Sequence, residues 1–425
     1  MTESERVIIA KNGIKIYFYR NPALHSFHTS LFIKAGIIYE NLSVVGITHF
    51  LEHVAIRNVN RLYGDDLYLL LDSCGLEFNA STYSEMVQFY IGGSSGKFAT
   101  GADIIAKILS GIVLTSSDTD AERKRIKAEL HENDDRTSLA GFSNRAVFFG
   151  TTLASSIVGT NSSVDKITVS KLEAYRKSIM TPENMFFYVT GNFTDGDIAY
   201  LISKIEDADT EHANARSNEA QVPSDFLARD GKVRIKNADY PTVRFTFDID
   251  MTKYSVAETD LLYDVLLSGY SSSLFVELSE KRGLVYDISG AVERYKNIGT
   301  LYFTYETKLQ NLYESIRIVV DILNSMKRPG GIDADIVKSG YVDNAEMLYD
   351  DSRELNFTFA YDNHIMDERY ASIEERKKRY ENISSDRLSE IAADVFRVKN
   401  LTLTMKAPKK KIFEEKINSM IGELL

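Results

Sequence analysis

The chain has one cysteine, Cys74, in 425 residues. An internal disulfide is therefore excluded, and nothing points to an oxidising compartment. A basic surplus is also missing, since the formal net charge is −11 at pH 7. No excess of lysine and arginine is left to neutralise phosphates, which argues against nucleic acid as the main partner. The opening stretch MTESERVIIAKNG has no basic region followed by an apolar core, and no apolar run approaches the length of a membrane span. A cytoplasmic enzyme without membrane contact is the expectation. At 425 residues the chain is too long for one ordinary core, so two domains or more are expected.

The informative stretch is Ile47 to Val54, ITHFLEHV, which reads HxxEH. On a helix His49 and His53 project from one face, one turn apart, where two imidazoles can share a metal ion. Glu52 reaches the same face and can take a proton from water held there. Zinc suits such a site, because two imidazoles and a carboxylate leave one position open. The pattern is the inverse of HExxH, the inverzincin signature. Two histidines and a glutamate also arise on a half-buried helix face, with Phe50, Leu51 and Val54 as the buried positions. A distant carboxylate has to decide between these readings.

Val7–Ile9 and Ile14–Tyr19 flank Lys11-Asn12-Gly13 and read as a β-hairpin, followed by a strand over Ser30–Lys34. After the HxxEH helix, Asp65–Leu71 has helical spacing and ends near Gly75. Gly75–Thr82 and Met86–Ile91 read as two strands joined by a polar turn. The first, if it lies at a sheet edge, can hydrogen-bond an extended peptide as an added strand. Asn79 in it has the plainer reading of a residue that caps or turns. Gly92–Lys97, GGSSGK, is not a phosphate loop: it lacks the first glycine at the required spacing and has Phe98 where Ser or Thr is needed.

Ala99–Leu114 reads as an amphipathic helix and Thr119–Asp134 as a second, highly charged one. In the latter Glu122, Ile126 and Glu129 fall on one stripe. An acidic stripe around an isoleucine faces inward only if it meets a cation. Glu129 is the candidate third ligand and Glu122 its support, with His131 and Glu132 as rivals that spacing does not exclude. Polar text over 211–229 reads as a linker between a first domain, 1–210, and a second, 230–425. Ile167, Leu172 and Asn184 before the strand at Met185 recur as Ile383, Leu388 and Asn400 before Leu401, all at an offset of 216 residues. Two similar domains from a tandem duplication follow. Glu258–Leu267 stands where the HxxEH helix would be in the second half, and Lys409–Lys411 reads as a solvated turn.

Together these pieces resemble the pitrilysin/insulinase family of zinc peptidases, in the short-chain branch that includes mitochondrial processing peptidase. HFLEH matches that family's zinc helix letter for letter. The resemblance implies an α+β fold: two homologous domains, each an antiparallel sheet packed against helices, together half of a clam-shell peptidase. It implies a glutamate 76 residues after the second histidine as third ligand, which is Glu129, and a supporting glutamate at Glu122. GLEFNASTYSE is similar to the family's edge strand, so Asn79 and Ala80 are the implied contacts to a substrate backbone. SSSLFVELSEKRGLVY resembles the substrate-binding element of the second half, with Tyr286 as its tyrosine. The arginine often found seven residues earlier is Ser279 here, and Arg282 is the nearby substitute. After His53 the chain also departs from the family, with Val54-Ala55-Ile56-Arg57-Asn58.

The expected function is a zinc endopeptidase acting on unfolded or extended peptides inside a dimer chamber, in peptide turnover or maturation. His49, His53 and Glu129 would hold zinc and Glu52 would be the base. The expected partner is a related chain that supplies an arginine–tyrosine pair in a heterodimer, with a homodimer using Arg282 as the alternative. The competing class is a non-catalytic scaffold or regulatory subunit. A purely structural zinc is disfavoured because it would normally have four protein ligands.

Overall fold

Alternating apolar residues and turn glycines build two sheets. The computed structural model describes residues 4–132, 137–208, 229–295 and 297–424; the linker expected over 211–229 lies, but for Arg229, outside them. The first sheet contains β1 (Arg6–Ile9), β2 (Lys15–Arg20), β3 (Ser26–Ile33), β4 (Glu77–Thr82), β5 (Val87–Ser94) and β6 (Met185–Gly191), in the order β1-β2-β6-β3-β5-β4. The second contains β7 (Arg234–Asn237), β8 (Thr242–Asp250), β9 (Ile288–Arg294), β10 (Ile298–Glu306) and β11 (Leu401–Ala407), in the order β7-β11-β8-β10-β9. The second order repeats the first without β1.

The repeat extends to side chains. Asn184 Nδ2 donates to the carbonyls of Ile179 (2.8 Å) and Lys34 (2.9 Å). Asn400 Nδ2 donates to those of Val395 (2.8 Å) and Asp248 (2.7 Å). Each asparagine thus ties the end of a helix to a neighbouring strand ahead of β6 or β11.

The sheets are not wholly antiparallel. β2–β6 and β7–β11 are parallel, because each pair is joined by a long crossover rather than a tight turn. Gly13 (φ 86°) turns the β1–β2 hairpin, whereas no described strand stands ahead of β7 in the place of β1.

Helix α1 (Ile47–Leu62) carries HxxEH, α2 (Leu67–Cys74) stops at Gly75 in the left-handed region (φ 63°), and α3 is Phe98–Ala106. The helix expected over 99–114 is therefore shorter. After a 3-10 turn the chain reaches Gly111, a poor helix former, and is held by Asn58, whose side chain bonds Gly111 O (3.0 Å) and Val113 N (2.8 Å). That pin sets up α4 (Ser116–Glu132).

Two helices leave the contiguous division at residue 210. α5 (Leu139–Val147) packs on β11 and β8 in the second unit, which comprises segments within 135–154, 222–345 and 374–425. The first unit draws on 1–134, 155–221 and 346–373. Further helices include α6 (Val169–Ile179), α7 (Val256–Leu267), α8 (Asp335–Asn344) and α9 (Ser352–Ala360). α9 packs on β3 and β6 of the first unit. In each unit one sheet face thus carries helices of its own half and the other a helix from the opposite half. No described helix is long and apolar enough to cross a membrane.

Candidate metal centre

Helix α1 is fixed at its start, along its apolar face and along its polar face. At the start, Gly46 has φ 90°, and a Cβ there would lie 2.5 Å from Val158 O. The carboxylate of Glu40, 2% exposed, accepts from the N–H groups of Gly46 (2.7 Å) and Thr48 (2.9 Å). An acceptor with negative charge is what the exposed donors of a helix N-terminus require. Burial pushes the Glu40 carboxyl up, against the pull of these donors. Thr48 Oγ1 also meets Tyr175 OH of α6 at 2.6 Å. Replacing Glu40 with Ala leaves two buried N–H groups unpaired and is expected to cost about 1–3 kcal/mol, read as a lower denaturant midpoint. An unchanged midpoint would remove Glu40 from the architecture of the site.

Phe50 and Val54 are fully buried, and each contributes about 1.5–3 kcal/mol by leaving water. The opposite stripe repeats every four residues as His49, His53, Arg57 and Arg61. It meets Glu129, Glu122 and Asp118 of α4, running the other way. Arg57 donates to Glu122 Oε1 (2.8 Å) and Asp118 Oδ1 (3.2 Å), and Arg61 to the same Asp118 oxygen (3.0 Å). Ile126 is fully buried between the acids. The inward acidic stripe thus meets two imidazoles and two guanidinium groups.

His49, His53 and Glu129 each offer a donor atom, and the three lie within 4.8 Å of one another. Glu129 Oε2 is 3.1 Å from His49 Nε2 and 3.7 Å from His53 Nε2. The other ring nitrogens face carboxylates: His53 Nδ1 is 3.3 Å from Glu122 Oε2, and His49 Nδ1 is 3.6 Å from Glu52 Oε2. Such partners orient a ligating imidazole and raise its basicity. His131 and Glu132 are exposed and outside this cluster. Two imidazoles and one carboxylate are a donor set that fits zinc with a position left open.

Burial alone would lower the His49 imidazole, but the Glu129 and Glu52 carboxylates outweigh it and hold it up at about 9. Glu52 is shifted down: burial raises it, while His49 and Thr82 more than compensate. Thr82, at the end of β4, donates to Glu52 Oε2 at 2.5 Å, so β4 itself sets the direction of that carboxylate.

β4 lies at the sheet edge, paired only with β5. Phe78 and Ala80 pack against the core that α1 faces, whereas Glu77 and Asn79 are exposed. Asn79 Oδ1 accepts from the N–H of Ala80 at 2.9 Å. Asparagine thus does cap here, on an edge strand. In the second unit Ser279 lies in a helical turn, Phe275–Glu280, of π type. Arg282 is bound to Glu277 through its carboxylate and its carbonyl (2.9 Å). Tyr286 is 96% exposed.

Thr82, Glu40 and Asp118 had no place in the sequence-based site, and Arg57 and Asn58 figured in it only as a departure after His53; that stretch continues α1. Only Arg57 carried a signal, as the next member of the four-residue spacing His49–His53.

A helix-borne His-His-Glu cluster with a second glutamate beside it is the arrangement that the inverted HxxEH motif of metallopeptidases calls for. The chain belongs to the insulinase family, peptidase family M16: residues 15–161 match that family and residues 166–339 match the peptidase M16 inactive domain. An uncharacterized zinc protease of Mycobacterium bovis is 24% identical over 337 residues, covering 76% of this chain and 75% of its own. A protease from Helicobacter pylori shares the fold with a TM-score of 0.82 at 15% identity, over 96% of this chain and 100% of its own. The periplasmic protease PqqL of Escherichia coli, 16% identical with a TM-score of 0.78, is matched over 99% of this chain and 50% of its own. The family's cofactor is zinc.

Proposed function

We propose that this chain is a zinc-dependent endopeptidase acting on unfolded or extended peptides. The observation that carries the reading is the convergence of His49, His53 and Glu129 with Glu52 beside them and an open strand edge next to the cluster. These three residues would hold zinc, which when bound supplies a Lewis acid and makes water more acidic. Glu52, aimed by Thr82, takes the proton of the attacking water and passes it to the leaving amine. Glu122 keeps His53 oriented, and Arg57 keeps Glu122 ionised. A peptide lies along β4 as an added strand. The Asn79 side chain occupies the Ala80 N–H meanwhile and swings away to release it. The four intact residues disfavour a non-catalytic scaffold.

Tyr286 acts on a partner's site in this reading, as a solvent-facing tyrosine that a second chain would cover. A heterodimer is the better fit than a homodimer, since Glu277 already engages Arg282, the nearby substitute for the arginine missing at Ser279. The compartment we assign is the cytoplasm, in keeping with the single cysteine. The expected result is that the chain purified alone binds about one zinc and cleaves an unfolded peptide poorly. A self-associated dimer that cleaves efficiently, and fails after Arg282→Ala, would replace the heterodimer by the homodimer. Absence of cleavage even with a related chain added would sink the peptidase reading.

A further inference from the structure

Helix α9 comes from the second half of the sequence but covers the first sheet on the face away from α1. Phe27, Leu31 and Ile33 of β3 share a core with Phe50 and Val54 of α1. The intervening face meets α9: Asn356 Nδ2 donates to Tyr188 O (2.9 Å), and Phe359 packs on Tyr19 with ring centres 5.1 Å apart. α9 therefore lies behind β3 and β6, and two of its side chains reach the edge strand β4, whose front looks onto the metal centre.

Along that edge α9 presents Arg353 and Phe357, four residues apart and so on one helix face, continued by Tyr361. Arg353 donates to Tyr90 OH (3.1 Å) and Glu77 Oε1 (3.3 Å), with its guanidinium carbon 4.8 Å from the Tyr90 ring centre. Tyr90 is the residue of β5 opposite Asn79. Phe357 lies 5.6 Å from the ring of Tyr83, one residue past the Thr82 that holds Glu52, and stacks on Tyr361 at 5.7 Å. Phe357 and Tyr83 are both half-buried, so a partly exposed aromatic ledge lies level with the metal centre on the other side of the sheet. Arg353 is about four residues further along the strand.

We propose that α9 is the specificity wall of the peptide site, which deepens the peptidase reading and rests on it. A peptide added to β4 points alternate side chains to opposite faces. Every second side chain faces the zinc helix, and those between face α9. The ledge of Tyr83 and Phe357 takes a bulky apolar or aromatic side chain. Arg353 takes an acidic one at a position of the same parity. Its partner Glu77 is exposed, so that ion pair is weak and exchanges readily for a peptide carboxylate. Tyr90 keeps the guanidinium in place during the exchange.

The test uses the full chain, with its partner chain where one is required, and a positional library of quenched fluorescent peptides varied among Phe, Gly, Glu and Gln. The wild type is expected to prefer Phe over Gly at one position by at least about tenfold in kcat/KM, the low end of what apolar contact gives, because the ledge is only half-buried. Phe357→Ala should erase that preference and no other, and Phe357→Leu should restore most of it. Arg353→Gln should erase a preference for Glu over Gln at a second position of the same parity. A Phe preference untouched by Phe357→Ala, or two preferences of opposite parity, would overturn the wall.

Binding of the same peptides to the Glu52→Gln variant, by fluorescence anisotropy, separates the two readings. If the wild type cleaves nothing but binding shows a Phe preference that Phe357→Ala removes, the wall stands and the peptidase reading falls. If binding shows no such preference, the wall falls whatever the cleavage rates.

Discussion

Glu52→Gln is expected to keep the fold and the zinc and to lower peptide turnover by at least about 100-fold, toward the 10,000-fold upper range of general acid–base catalysis. The substitution is nearly isosteric and leaves His49, His53 and Glu129 untouched. An amide can still accept from Thr82 Oγ1, which now lies 2.5 Å from the carboxylate, so β4 keeps its register. What is lost is the only group at this position that can accept a proton from water. The comparison is turnover of one unfolded peptide by both proteins at matched zinc content. Comparable rates would assign the proton to another group and dissolve the role given to Glu52.

Much of this centre was legible because helices have a fixed period. His49 and His53 four residues apart, and Glu122, Ile126 and Glu129 on one stripe of a second helix, specify two faces that suit each other by charge. Ile126 is buried and Glu122 is 2% exposed, as the stripe requires. The reading of β4 as a strand next to a turn also follows from local pattern. Periodicity does not say which sheet an amphipathic helix covers. α5 and α9 were invisible as exchanged helices, since either sheet offers each of them an apolar face. For the same reason Arg353 and Phe357 could not be placed beside Glu77 and Tyr83. The end of α3 at Ala106 depends on Asn58, a contact made across 53 residues of sequence. Parallel pairing of β2 with β6 depends on the crossover, which no local run of residues records.

The second large effect concerns which glutamate holds the metal, and three substitutions on one helix should give three different answers. Glu129→Gln removes the oxygen that stands 3.1 Å from His49 Nε2 and 3.7 Å from His53 Nε2, leaving two imidazoles as donors. Glu122→Gln leaves all three donors but weakens the partner of His53 Nδ1, and it takes a charge from between His53 and Arg57. Loss of such an orienting partner typically costs about 10–100-fold in metal affinity. Glu132→Gln changes an exposed side chain outside the cluster and should leave zinc binding alone. The expected order of zinc retention during chelator competition is therefore wild type equal to Glu132→Gln, then Glu122→Gln, then Glu129→Gln, with the last below the 10–100-fold range. Glu122→Gln should also be less stable without metal, because Arg57 would face a buried neutral amide instead of a carboxylate. Glu129 is one-third exposed, so its variant should fold as firmly as the wild type. Metal loss without loss of stability is the signature of a ligand, and stability loss with partial metal loss is that of its support. If Glu129→Gln kept zinc as well as Glu132→Gln does, the third ligand would have to come from outside this cluster.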